Sequence, residues 1–94
     1  MDIVDVIWLP PVIDKLAWKH HVSPDEVTAV LCDHPLYRKV QKGHVPGEDL
    51  YAALGQTDAG RYLIIFFIDT PTREAFILSA RDMEAQERRQ YARR

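Results

Sequence analysis

The sequence predicts a small α+β domain with helices packed on an antiparallel sheet. The order is strand, two helices, a meander of three or four strands, and a closing helix. Three observations carry this. Val22-Ser23-Pro24-Asp25-Glu26-Val27 has the pattern of a capped helix start. From Leu50 to Ser79, apolar runs alternate with short turn signals. From Asp82 onward, a charged stretch carries Met83, Glu87 and Tyr91 at helical spacing. The chain has 94 residues, 47% of them hydrophobic, which allows one core and one domain over 1–94.

Asp2 to Trp8 reads as a short first strand, stopped by Pro10-Pro11. Helix one is expected from Pro11 to Lys19, with Val12, Ile13, Leu16 and Ala17 on its apolar face. Nothing caps its start, an omission worth about 1 kcal/mol. After Lys19-His20-His21, helix two begins with Ser23 as N-cap, Pro24 in the first turn and Glu26 closing a capping box. Val22 can staple to Val27, and Asp25 and Glu26 suit the positive end of the helix dipole. That helix ends near Cys32, before Pro35.

Tyr37 to Gln41 reads as an edge strand and Lys42 to Glu48 as a loop. Leu50 to Thr57 is a strand, Asp58-Ala59-Gly60 a hairpin turn, and Arg61 to Asp69 the central strand, apolar on both faces. Thr70-Pro71-Thr72 turns the chain into a last strand, Arg73 to Ser79, and helix three follows from Asp82.

The net charge of -2 argues mildly against nucleic acid, but its distribution is polar. Acidic residues crowd the first half and arginines crowd the end: Arg73, Arg81, Arg88, Arg89, Arg93 and Arg94. Arg93 and Arg94 read either as part of an anion-facing side or as a solvated tail. A single cysteine excludes an internal disulfide and a cysteine-built zinc site, and fits a reducing cytoplasm. The acidic N-terminus argues against a signal peptide. The longest apolar run, Tyr62 to Ile68, falls far short of the ~20 residues of a membrane helix.

The candidate chemistry sits where the last strand meets helix three. A guanidinium at Arg81 can bind a phosphate bidentately, or can be a helix-packing group. Glu87, in line with Met83 and Tyr91, faces the sheet and needs a partner; Arg81 and Lys19 are the candidates. It can orient an arginine, act as a base, or form a structural ion pair. Arg88 can pair with Glu84 one turn before it. His20, in a turn beside a lysine, suits acid–base work near neutral pH, or is simply polar turn surface. The four histidines lack metal-ligand spacing, so no metal or other cofactor is expected. No phosphate-loop pattern is present.

Trp8, Lys19-His20, Val22-Ser23 and Asp25-Glu26 resemble the W…KHGVSFEEA opening of the BrnT family. Gly55 and Gly60-Arg61 before an apolar strand resemble its central hairpin. Ile77 to Tyr91, with Ser79-Ala80-Arg81, Glu87-Arg88-Arg89 and Tyr91, resembles its closing I-S-A-R…E-R-R-x-Y pattern. The resemblance implies a RelE-like fold and the toxin half of a type II toxin–antitoxin pair. Such a toxin cleaves RNA without a metal ion and is neutralised by a small DNA-binding antitoxin of the ribbon-helix-helix type. It implies Lys19, His20, Arg61, Arg81 and Glu87 as catalytic residues, with Arg88, Arg89 and Tyr91 on the RNA. The chain departs from the pattern at Leu9, Val12, Leu16, His21, Pro24, Leu50, Phe67, Asp82 and Glu84. Several of these changes are expected to remove positive or proton-transferring groups from the RNA side. A second reading follows: the same fold kept as a binding module for an antitoxin-like partner or for itself. The apolar strands suit a homodimer interface as well as a monomer core.

Overall fold

The central strand is β4 (Tyr62–Asp69), in a five-stranded sheet ordered β1-β5-β4-β3-β2. The computed structural model describes residues 1–94. Around β4 the elements are β1 (Asp5–Ile7), α1 (Pro10–Lys15), a π-helical turn (Leu16–His20), α2 (Pro24–Cys32), β2 (Leu36–Gln41), β3 (Asp49–Gln56), β5 (Glu74–Asp82) and α3 (Ala85–Ala92). β2 to β5 form the expected antiparallel meander. β1 is shorter than the predicted Asp2–Trp8 strand, and it pairs in parallel with β5, Asp5 opposite Glu74 and Ile7 opposite Phe76. The sheet is therefore mixed, because a strand that returns after a helical crossover can lie parallel to its neighbour. No helix is long and apolar enough to cross a membrane.

β4 is covered on both faces, as its unbroken apolar run predicts. Leu63, Ile65 and Phe67 are fully buried on one side with Leu16, Val22, Val27, Val30 and Ile77. Ile64 is fully buried on the other side with Ala52, Leu54 and Met83, under Tyr91 of α3. Phe67 anchors the larger cluster, edge-on to Tyr37 and stacked on Tyr51, both with ring centroids 6.1 Å away. Leu16 and Phe67 therefore depart from the resembled pattern as core packing residues, not as losses from an RNA-facing side.

α2 forms as predicted. The Ser23 hydroxyl accepts from the Glu26 N–H at 3.2 Å, and the Glu26 carboxylate accepts from the Ser23 N–H at 3.1 Å. α2 lies close on β3 because Gly55 has no side chain: a Cβ there would sit 2.7 Å from a Val30 methyl. Gly55→Ala is expected to destabilise the fold by about 1–3 kcal/mol, the usual cost of overpacking. A urea midpoint unchanged from the parent would contradict this.

The boundary between β5 and α3 differs from the prediction. The strand continues through Ala80, Arg81 and Asp82, which pair with Ile65, Ile64 and Leu63. The helix starts only at Ala85. Met83 precedes the helix, is buried, and donates its N–H to the Tyr62 carbonyl at 3.0 Å. Arg81 is thus a strand residue held in register, and Asp82 is not part of helix three.

Candidate functional site: a cationic corner at the edge of the sheet

α1 has no side-chain cap at Leu9, as expected. Its C-terminal end widens into the π-helical turn, which stops where His21 adopts a left-handed conformation with φ 54°. Val22 then donates to the Leu16 carbonyl at 3.0 Å. Such wide turns recur at functional sites because they re-aim side chains that a regular helix would point elsewhere. Here Leu16 is buried while Lys15 and Lys19 are exposed and His20 is half-buried. β1 pairs only with Glu74 to Phe76, so the C-terminal half of β5 has no strand beside it on that edge. The π-helical turn packs against β5.

His20 lies among charges at this edge. Its pKa is held below the ordinary 6.5, first by partial burial, then by the positive charges of Lys19, Lys15 and Arg81. Asp82 opposes the shift. Arg81 and Asp82 are successive strand residues and point to opposite faces. The charges of both act on His20, in opposite directions. Partial burial and the three nearby positive charges thus favour the neutral imidazole.

Arg61 holds this arrangement from the α1–α2 side of the sheet. Its Nη2 donates to the His20 carbonyl at 2.8 Å and its Nη1 to the His21 carbonyl at 2.6 Å. Its Nε donates to Asp82 Oδ1 at 2.7 Å, and Nη2 reaches Asp82 Oδ2 at 3.3 Å. Nη1 also pairs with Glu26 Oε2 at 3.2 Å. Every guanidinium N–H has a protein acceptor. The last carbonyls of the π-helical turn are orphaned by its ending, and Arg61 satisfies two of them. Arg61→Ala is expected to lower stability by about 1.5–3 kcal/mol, the range for charged hydrogen bonds. Urea unfolding reads this, and an unchanged midpoint would show that the clamp is dispensable.

Arg81 is on the opposite face, the side of α3. It meets Glu87 in a two-pronged pair, Nη1 to Oε1 at 2.8 Å and Nη2 to Oε2 at 2.9 Å. Of the two partners proposed for Glu87, Arg81 is the one it meets. Glu87 also accepts from the Glu84 N–H at 2.8 Å, so one carboxylate caps α3 and steadies the arginine. The hydrogen bonds from Arg81 lower the Glu87 pKa from its ordinary value, and burial only partly opposes this. The Arg81 side chain stays 30% exposed, with its head group 5.6 Å from the Phe66 ring centroid.

The other three predicted residues lie further along the same face. Arg88 and Tyr91 line a groove with Gln56, Tyr62, Arg89 and Arg94. Arg88 does not pair with Glu84; its guanidinium lies over the Tyr62 ring, 4.3 Å from the centroid. Arg94 is exposed but folds back over the Tyr91 ring at 3.8 Å.

Arg81 and Glu87 therefore meet at one corner; His20, beside Lys19 in the chain, feels the Arg81 charge, and Arg61 holds its carbonyl. Arg88, Arg89 and Tyr91 form a separate wall. Sequence reasoning did not assign Lys15, Asp82, Tyr62 and Gln56 to either place. Lys15 was legible as the residue one turn before Lys19. The others depend on strand register. No three His, Cys, Asp or Glu side chains gather closely enough to hold a metal ion. No protein-family model matches this chain, and a search of curated proteins finds no relative.

Proposed function

We propose that this chain is the RNA-cleaving toxin of a toxin–antitoxin pair, a divergent relative of the BrnT family with RelE-like chemistry that needs no metal ion. One arrangement carries the reading: Arg61 holds the His20 carbonyl beside β5, and partial burial with the charges of Lys19, Lys15 and Arg81 lowers the His20 pKa. A neutral base beside fixed positive charge is what in-line attack on a phosphodiester requires.

In this mechanism His20 removes the proton from a ribose 2′-OH. The 2′ oxygen bonds to the adjacent phosphorus while the bond to the 5′ oxygen breaks. The products are a 2′,3′-cyclic phosphate and a free 5′-OH, with a proton returned to the departing oxygen through Lys19. Arg81 neutralises the charge that builds on the phosphate, and Glu87 fixes its orientation. Arg61 is a positioning residue, because it holds the His20 carbonyl. Arg88, Arg89 and Tyr91 contact the rest of the strand. Single-stranded RNA suits such a corner, since its bases can splay away from the backbone.

Incubating the purified protein with RNA in EDTA tests the reading. Cleavage with cyclic phosphate ends is expected, and RNA left intact at high protein concentration would remove it. The pH profile adds a specific mark. His20 must be unprotonated to act, so the acid limb is expected to fall with a midpoint below 6.5. Lys19→Ala removes a charge that disfavours imidazolium, so the limb should move toward higher pH. A limb that stays put would separate His20 from the chemistry.

A second reading has its own support. Arg61 has no N–H free for a phosphate, and both terminal nitrogens of Arg81 are engaged by Glu87. A fold with its arginines so engaged suits a catalytically silent binding module for an antitoxin-like partner. Tight partner binding without any RNA cleavage would favour it.

A further inference from the structure

The chain has 14 acidic residues against 12 lysines and arginines, so carboxylates are not scarce. Arg61 and Arg81 both take carboxylate partners. Arg88, Arg89 and Arg94 take none, although they share one groove of about 400 Å³. Arg94 donates to the Tyr91 carbonyl at 2.8 Å, but three guanidiniums without a carboxylate repel one another, and their gathering on one wall favours an anion there. The volume is within the ~300–1,000 Å³ typical of small-ligand sites.

The aromatic groups narrow the ligand class. Tyr62 and Tyr91 meet edge to face with centroids 6.1 Å apart. Each has a guanidinium laid over its ring, Arg88 on Tyr62 and Arg94 on Tyr91. An unpaired nucleobase stacks both on aromatic rings and on arginine planes, and a phosphate pairs with the arginine edges. Gln56 sits opposite Tyr62 in the β3–β4 register. Its Nε2 donates to the Gly60 carbonyl at 3.1 Å, which leaves its carbonyl oxygen and a second N–H for a base edge.

We infer that this groove is a nucleobase-and-phosphate subsite for single-stranded RNA, with Tyr62, Tyr91, Arg88 and Arg94 holding the base and Gln56 reading its edge. The inference rests on the RNA-cleavage reading and adds to it a defined place for a neighbouring nucleotide. Tyr62 and Ile64 point to one face of β4, and Arg81 pairs with Ile64. The subsite and the Arg81 corner therefore share a face, separated by roughly 8 Å from strand rise and spacing. A strand whose base enters the groove carries its next phosphate toward Arg81.

Fluorescence anisotropy with a short 2′-O-methyl oligoribonucleotide tests this, because the blocked 2′ oxygen prevents cleavage. The double variant Arg88→Glu with Arg94→Glu should weaken binding by about tenfold or more. Lys42→Glu, in the loop after β2, should leave it unchanged. Both side chains of the double variant are exposed, so circular dichroism and melting should match the parent. An abasic oligomer of equal length should bind about tenfold more weakly, the loss expected when stacking is removed. Equal binding of the abasic oligomer, equal binding of poly-glutamate, or an unaffected double variant would each overturn the subsite. The nuclease reading fails separately. Tight binding of the blocked oligomer with no cleavage of ordinary RNA upholds the groove and removes the nuclease. Cleavage with an unchanged KM in the double variant does the reverse.

Discussion

Arg81→Ala is expected to lower RNA cleavage by roughly 10²–10³-fold, the loss seen when one preorganised donor to a developing oxyanion is removed. The guanidinium is the only cation at the corner that β-sheet register fixes, opposite Ile64. Lys15 and Lys19 are exposed, and a lysine carries its charge on a flexible four-carbon stem. Arg81→Lys should recover little, because an ammonium cannot reproduce the two parallel bonds to Glu87. Glu87→Gln keeps an acceptor for the Glu84 N–H but frees the arginine, so it should reduce kcat less than Arg81→Ala does. Initial rates on a fixed RNA in EDTA read all three. Growth arrest by Arg81→Ala equal to the parent, in cells lacking any antitoxin, would remove the corner as the site. Glu87 adds a stability signature. Its folded pKa lies below the ordinary 4.5, so its contribution is present above that pH and is lost as pH falls through the lower folded value.

Phe67→Ala is expected to cost about 3–5 kcal/mol. A domain of this size has only ~5–15 kcal/mol of stability in all, so the variant should unfold well below the parent's melting temperature. The ring has no exposed surface and touches Tyr37 and Tyr51 within the larger cluster. Phe67→Leu keeps most of the volume and should cost less than about 1.5 kcal/mol. Phe67→His should be severe for a different reason, since a buried ring nitrogen would have no partner. Thermal unfolding by circular dichroism orders the three. Equal melting of Phe67→Ala and the parent would mean that this cluster does not hold the sheet to α1 and α2. The same measurement decides how position 67 is understood. A packing role predicts lost stability, whereas a role in RNA contact predicts lost cleavage with the fold intact.

Much of the fold was legible locally. Ser23 and Glu26 announce α2 because a hydroxyl and a carboxylate three apart can satisfy each other's backbone donors without help from the rest of the chain. The hairpin at Asp58–Gly60 was legible because Gly60 takes a positive φ of 92° that other residues resist. The last strand was misjudged at its end. Ser79-Ala80-Arg81-Asp82 reads as polar and terminal, and the register slip at Phe66/Phe67 breaks the period of two that marks a strand. Only pairing with Leu63 to Ile65 keeps that segment extended.

The candidate site divides along the same line. The residue types were visible in sequence: a histidine directly after a lysine and an arginine ahead of a glutamate-bearing helix. Sequence alone determined that a capped helix, an apolar central strand and a cationic end would belong to one small domain, since each follows from contacts within a few residues. Tertiary structure decided which arginine pairs with Glu87 and which one clamps carbonyls. Residues 61 and 81 are far apart along the chain, yet strand register sets them on opposite faces of one sheet. A side chain's face depends on pairing with a distant strand, and local sequence carries no record of that choice.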